Sequence, residues 1–207
     1  MHVQDLDYQL FQMINQLGLT MSFLNPLMRF FASYAECVFY LGVIVYWFTR
    51  REVNRKMVAE ALLSACIGLM ISGLLGHFFY RDRPFVVHSV LQLIAHPANS
   101  SFPSDHAIGA FVIATAFWVY RRKDGVVWLA LAACIAFSRV WTGVHYPTDV
   151  LAGGIIGIVS ALCVHQLFIR STIAQKTLMI LIDVYEKLEN KVWPKPQVKT
   201  DQFSTRR

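Results

Sequence analysis

The chain has 207 residues, of which 56% are hydrophobic and only 15% charged, with a formal charge of +6. So much apolar surface in a chain of one-domain length excludes an ordinary water-soluble globule and points to several membrane-crossing helices. The basic residues flank apolar runs and form no basic domain of their own, which argues against a nucleic-acid partner.

Met1 to Leu19 is polar at its start and lacks a basic leading segment, so no short signal peptide is expected. Residues 1–29 carry Leu6, Leu10, Phe11, Ile14 and Leu17 at helical spacing, the pattern of a helix lying at a membrane surface. A first span is predicted from about Phe30 to Phe48, with Trp47 near an interface. Glu36 lies inside that span and reads equally as a structural hydrogen-bonding group and as a functional one. Thr49 to Lys56 follows as a basic connection. The second span, about Met57 to Tyr80, has Ser64, Gly68, Ser72 and Gly76 every four residues, a stripe of small side chains that lets helices approach closely. Residues 85–102 read as a loop, with His88 and His96 as interfacial side chains.

Pro103-Ser104-Asp105-His106 opens the third span, which ends near Tyr120. Ser104 is the expected N-cap, so free backbone N–H groups at this helix start form a ready anion site. After the basic turn Arg121–Gly125, a fourth span covers about Val126 to Trp141 and a fifth runs from Pro147 to about Phe168. Asp149 shares a helix face with Gly153, Gly157 and Ala161, aiming it at a packing seam rather than at lipid. From Ser171 an amphipathic helix is predicted, then a Lys/Pro-rich tail expected to be disordered. Cys37, Cys66, Cys134 and Cys163 sit in apolar runs and read as small hydrophobes. The predicted fold is all-α: a polytopic membrane helical bundle of about five transmembrane helices with N- and C-terminal interfacial helices. Residues 1–170 form the membrane-embedded domain, and residues 171–207 the amphipathic helix and basic tail.

With five spans, Arg83, His106, Arg139, His145 and Asp149 fall on one membrane face, while most Lys and Arg fall on the other, which is then cytoplasmic. The polar set therefore faces outward. It holds arginines, a helix N-terminus, two histidines and a carboxylate, and it lacks the ligand spacings of magnesium or zinc sites. Arginines and helix-end amides suit phosphate oxygens, while one histidine can attack phosphorus and the other can protonate the leaving oxygen. These residues point to a phosphohydrolase that uses no metal or other cofactor.

The strings Arg83-Pro84, Pro103-Ser104-Asp105-His106, and Ser138-Arg139 with His145 and Asp149 resemble the type 2 phosphatidic acid phosphatase family, whose pattern is K-x6-R-P, P-S-G-H and S-R-x5-H-x3-D. The resemblance implies that His145 is the nucleophile, forming a phosphohistidine, that Asp149 orients it, and that His106 is the general acid. Arg83, Ser104 and Arg139 would hold phosphate, with Asp105 in the same substrate-binding stretch. Two positions depart from the pattern: Gly76 stands where the family has lysine, and Asp105 where it has glycine. Both, with Phe85, Phe102, Trp141 and Tyr146, resemble the short bacterial undecaprenyl-diphosphatases of the BcrC type. That subgroup implies a polyprenyl diphosphate lipid as substrate, membrane lipids as surroundings, an outward site in the bacterial cytoplasmic membrane, and a link to bacitracin resistance. Phosphatidylglycerophosphate or phosphatidate phosphatase is the alternative within the class. The vanadium haloperoxidases resemble the same residues but are soluble, and a non-enzymatic transport or lipid-binding role would fit a chain missing a motif histidine. With the lysine absent, Arg81 is the nearest cation for a second phosphate, or else an interfacial arginine paired with Asp82.

Overall fold

The structure, a computed structural model, describes residues 3–194, and among them it is helical with no strand. The helices are α1 (Val3–Thr20), α2 (Asn25–Ser33), α3 (Ala35–Phe48), α4 (Glu52–Phe78), the single turn α5 (Pro84–Val87), α6 (Asp105–Tyr120), α7 (Arg122–Trp141), α8 (Pro147–Arg170) and α9 (Thr172–Val192). The predicted tail beyond residue 194 lies outside the described residues.

Helices α4, α7 and α8 are long and apolar enough to cross a membrane, and α2 with α3 passes the same test as a pair bent by 45°. Helix α6, the predicted third span, has 16 residues. At about 1.5 Å per residue it falls short of a hydrocarbon core of about 30 Å. It is buried on every side, from Ala107 and Ile108 to Ala116 and Phe117, as expected of a helix that is apolar all round and packed in protein.

The small-residue stripes produce that packing. A Cβ on Gly68 of α4 would stand 2.8 Å from the Ile108 side chain. On α8, a Cβ at Gly153 would stand 2.6 Å from the Ser104 carbonyl oxygen, and one at Gly157 would stand 2.7 Å from that of Ile108. Two neighbours thus approach the backbone of α6 closely, one through the stripe of α4 and one through that of α8. At the end of the bundle away from the motifs, the buried Glu60 of α4 accepts from Tyr120 Oη at 2.5 Å and contacts His165 Nδ1 at 2.8 Å, joining α4, α6 and α8.

Two expectations change. Helix α1 packs into the bundle: Asp7, Phe11 and Asn15 are buried, and Asn15 bonds the Leu91 backbone and the Trp141 carbonyl. The predicted basic connection is also shorter, because Glu52 to Lys56 already belongs to α4 and Arg55 is buried, its guanidinium 5.5 Å from the Trp47 ring. By compactness the chain divides at Leu167/Phe168. Beyond it, Ser171 caps α9 by accepting from the Ala174 N–H at 3.2 Å.

Candidate active site

The motif residues meet where α4 ends, α6 and α8 begin, and α7 hands over to the 142–146 turn. Pro84 starts the turn α5 and leaves Arg83 extended before it. The buried Arg83 guanidinium donates to Asn99 Oδ1 at 3.0 Å, to the Val144 carbonyl at 2.9 Å and to the Ser100 carbonyl at 3.1 Å. Its Nη1 also lies 3.1 Å from His145 Nε2.

His145 is buried, and its Nδ1 lies 2.9 Å from the Ser101 carbonyl oxygen. A carbonyl only accepts, so Nδ1 carries the proton and Nε2 presents its lone pair. Burial, then the charges of Arg139 and Arg83, push the imidazole well below its ordinary pKa against the opposing pull of the Ser101 bond. It is therefore neutral at pH 7. Burial likewise lowers Arg83, which the nearby Asp149 opposes.

Asp149 stands 3.6 Å from His145 Nδ1, farther than the Ser101 carbonyl. Its Oδ2 accepts from Ser101 Oγ at 2.5 Å and the Tyr146 N–H at 2.8 Å, and its Oδ1 from Arg81 Nη1 at 3.0 Å. Ser101 thus presents its carbonyl to the histidine and its hydroxyl to the aspartate. The expected direct carboxylate–imidazole bond is in this structure a carbonyl bond with the carboxylate behind it.

Arg81 occupies a different place from the one expected. Its guanidinium bonds Asp149, Thr148 Oγ1 and, at 2.7 Å, Asp7 of α1, and lies 3.7 Å from the Tyr146 ring centre. Asp7 also accepts from the Thr148 N–H and hydroxyl. Two carboxylates and a hydroxyl hold this cation, and Asp82 is not among these partners, so in this structure Arg81 ties α1 to the start of α8. Burial pushes Tyr146 up to about 12, against the nearby Arg81 charge, keeping its phenol protonated.

Ser104 is the N-cap residue of α6, as expected, but its Oγ makes no capping bond and is buried without a partner among the described residues. The first intrahelical bond runs from Ile108 N to Ser104 O, so the preceding N–H groups lie ahead of the ladder. Asp105 turns its carboxylate to Ser72 of α4, so what it offers an anion is its backbone N–H. Arg139 is buried; its Nη1 donates to the Ala32 carbonyl at 2.7 Å, while Nε and Nη2 have no partner among the described residues. His106 places Nε2 3.4 Å from Glu36.

Of the two loop histidines, His88 stacks on Tyr8 with centroids 3.9 Å apart. His96 lies with its ring 6.1 Å from that of His145, closer to the site than an interfacial reading implies. Its Nδ1 faces the Pro97 carbonyl at 3.0 Å, and burial lowers its pKa. Asp7, Asn99 and Ser101 were not singled out by sequence, and Glu36 was left open between a structural and a functional role, since their partners lie up to 141 residues away along the chain. Among the described residues, no three His, Cys, Asp or Glu side chains are grouped as a metal ion would require.

A neutral imidazole lone pair beside buried guanidinium donors, two of them unpartnered, suits attack on an anionic phosphorus centre. Comparison with known proteins agrees. The model of the PAP2 superfamily matches residues 57–173. The chain is 34% identical over 198 residues to "Undecaprenyl-diphosphatase BcrC" of Bacillus subtilis, covering 95% of this chain and 99% of that protein. It is 35% identical over 202 residues to "Bacitracin transport permease protein BcrC" of Bacillus licheniformis, covering 97% and 98%. The crystal structure of Aquifex aeolicus LpxE superposes with a TM-score of 0.67 at 26% identity, over 80% of this chain and 99% of that one.

Proposed function

The chain belongs to the PAP2 superfamily, and from that premise we propose that it hydrolyses undecaprenyl diphosphate to undecaprenyl phosphate and phosphate. Reaction proceeds through a phosphohistidine on His145. The terminal phosphoryl group enters beside Arg139, whose Nε and Nη2 lack protein acceptors, and beside the unpartnered Ser104 hydroxyl. Arg83 Nη1, at 3.1 Å from the lone pair of His145, redirects its N–H to a phosphoryl oxygen. Nε2 bonds to phosphorus as the bond to the bridging oxygen breaks, and that oxygen takes a proton from His106. Water then attacks the phosphohistidine, His106 takes its proton, and free His145 and phosphate result.

The observation that carries this reading is the pair of unpartnered donors on a buried Arg139 in the site of a neutral His145. The transport role in one relative's name needs no such nucleophile. An outward site in a bacterial cytoplasmic membrane is supported by Arg50, Arg51, Arg121, Arg122 and Lys123, which lie at the helix ends away from the motifs. Residues 1–170 act as the phosphatase domain, with 171–207 appended.

The test is phosphate release by purified protein from undecaprenyl diphosphate, phosphatidylglycerophosphate and phosphatidate, with and without EDTA. Turnover of the diphosphate that survives EDTA and disappears in His145→Ala is expected. Normal turnover in His145→Ala would refute the assignment, and faster turnover of a glycerolipid would move the substrate. In intact cells, single cysteines in the 85–102 loop of a cysteine-free variant should react with an impermeant thiol reagent while those at 121–125 stay unlabelled.

A further inference from the structure

The mechanism above uses His106 as an acid but leaves unexplained what keeps its ring oriented and charged. Burial, then the neighbouring Arg139, His145, His96 and Arg83, all disfavour its charged form, so the acid needs a counter-charge. Among the described residues, the carboxylate that contacts its ring is Glu36, with Oε2 at 3.4 Å from Nε2. Glu36 sits in the first turn of α3, inside a membrane-crossing pair of helices, where an ionisable side chain is costly without a purpose. Both residues line a cavity of about 230 Å³ between α3, α4 and α6, whose other walls include Phe39, Leu69, Ala110 and Ile113. Among the described residues no protein group bonds the second ring nitrogen, Nδ1, which leaves it open for substrate.

From this contact at the mouth of an apolar cleft, we infer that Glu36 is the positioning residue of the general acid: its carboxylate holds the Nε2–H of His106 so that Nδ1 serves the leaving oxygen. The inference rests on the phosphatase reading. Before reaction the ring is an imidazolium, with Nε2–H on Glu36 and Nδ1–H toward the bridging oxygen. As the P–O bond breaks, its electron pair stays on that oxygen, which takes the Nδ1 proton. The neutral ring keeps Nε2–H on the carboxylate and offers the Nδ1 lone pair to the attacking water, whose proton restores the imidazolium. The site then contains two histidines, each fixed through one nitrogen and reactive through the other: His145 by Ser101, and His106 by Glu36.

The test compares wild type, Glu36→Gln and Glu36→Asp in detergent, measuring kcat and KM for farnesyl diphosphate from pH 5 to pH 9. Without the carboxylate the imidazolium forms less readily, so the alkaline limb of kcat in Glu36→Gln should move to lower pH. At neutral pH, kcat should fall about 10- to 100-fold, a part of what a general acid supplies, with KM little changed. Glu36→Asp, which keeps the charge, should recover part of the rate. Wild-type kcat and pH profile in Glu36→Gln would overturn the inference, and so would a rise in KM alone. If Glu36→Gln does not fold, Glu36→Asp decides: one methylene withdraws the carboxylate, so an unaltered alkaline limb overturns the inference. Failure of wild type itself to release phosphate would instead overturn the phosphatase reading.

Discussion

Replacing Arg81 by alanine separates a residue that holds the catalytic carboxylate from one that reads substrate phosphate. In the structure Arg81 donates to Asp149 at 3.0 Å and to Asp7 at 2.7 Å, so the substitution strips a cation from two buried carboxylates. Breaking a fully buried pair costs about 3–5 kcal/mol. Here the cost is smaller, because the Arg81 side chain is 27% exposed and Asp149 keeps its bonds from Ser101 and Tyr146. Loss of a charge-assisted bond, about 1.5–3 kcal/mol, is the better guide. Expressed on the barrier, that is a fall in kcat of roughly 10- to 150-fold. The assay is steady-state phosphate release from farnesyl diphosphate in detergent, paired with a thermal melt. A fall in kcat with a nearly constant KM and a lower melting temperature is expected. A raised KM with unchanged kcat and unchanged melting temperature would refute the reasoning and return Arg81 to the substrate.

Arg139→Lys keeps a charge but loses the planar fork, so inhibition by orthovanadate should weaken about tenfold or more, read from dose–response curves. Gly153→Ala places a Cβ 2.6 Å from the Ser104 carbonyl oxygen and should cost about 1–3 kcal/mol by melting, together with activity. Gly109→Ala, with nothing within 4 Å of the added carbon, should not lower the melting temperature. The burial of neutral His145 makes stability depend on pH: the unfolded chain takes up a proton below about 6.5 and the folded chain resists it. That contribution is full above pH 6.5 and falls by up to about 1.4 kcal/mol per unit as pH drops toward the folded value. Melts at pH 7.5 and 5.5 should show a smaller acid loss in His145→Asn than in wild type.

The site was legible in sequence wherever local geometry fixed it. Asp149 lies in line with Gly153 and Gly157 on α8, and the stripe on α4 repeats at the same four-residue spacing, so those shared faces follow from the helix itself. Contacts between distant segments leave no such period. Nothing in the α1 sequence says that Asp7 meets Thr148, or in α3 that Glu36 meets His106. Hydropathy also fails to separate a helix enclosed by protein from one facing lipid, so nothing in the sequence marks α6 as the central helix of the bundle. The break between α2 and α3 falls at Tyr34 without proline or glycine. There the buried Arg139 guanidinium takes the Ala32 carbonyl, a tertiary bond that satisfies a helix end where sequence carries no stop signal.

Gly76, which stands where the family pattern has lysine, lies against the segment that holds the catalytic pair. A Cβ at this position would lie 3.3 Å from the Phe102 carbonyl oxygen and 3.7 Å from Ser100. The segment pressed against this face of α4 is therefore the one that carries Ser101 between them. Ser101 supplies the carbonyl that fixes the His145 tautomer and the hydroxyl that Asp149 accepts, and its N–H donates to the Arg81 carbonyl at 2.7 Å. A Cβ at position 76 would ask the Phe102 carbonyl to give by a few tenths of an ångström, one residue from the group that holds both His145 and Asp149.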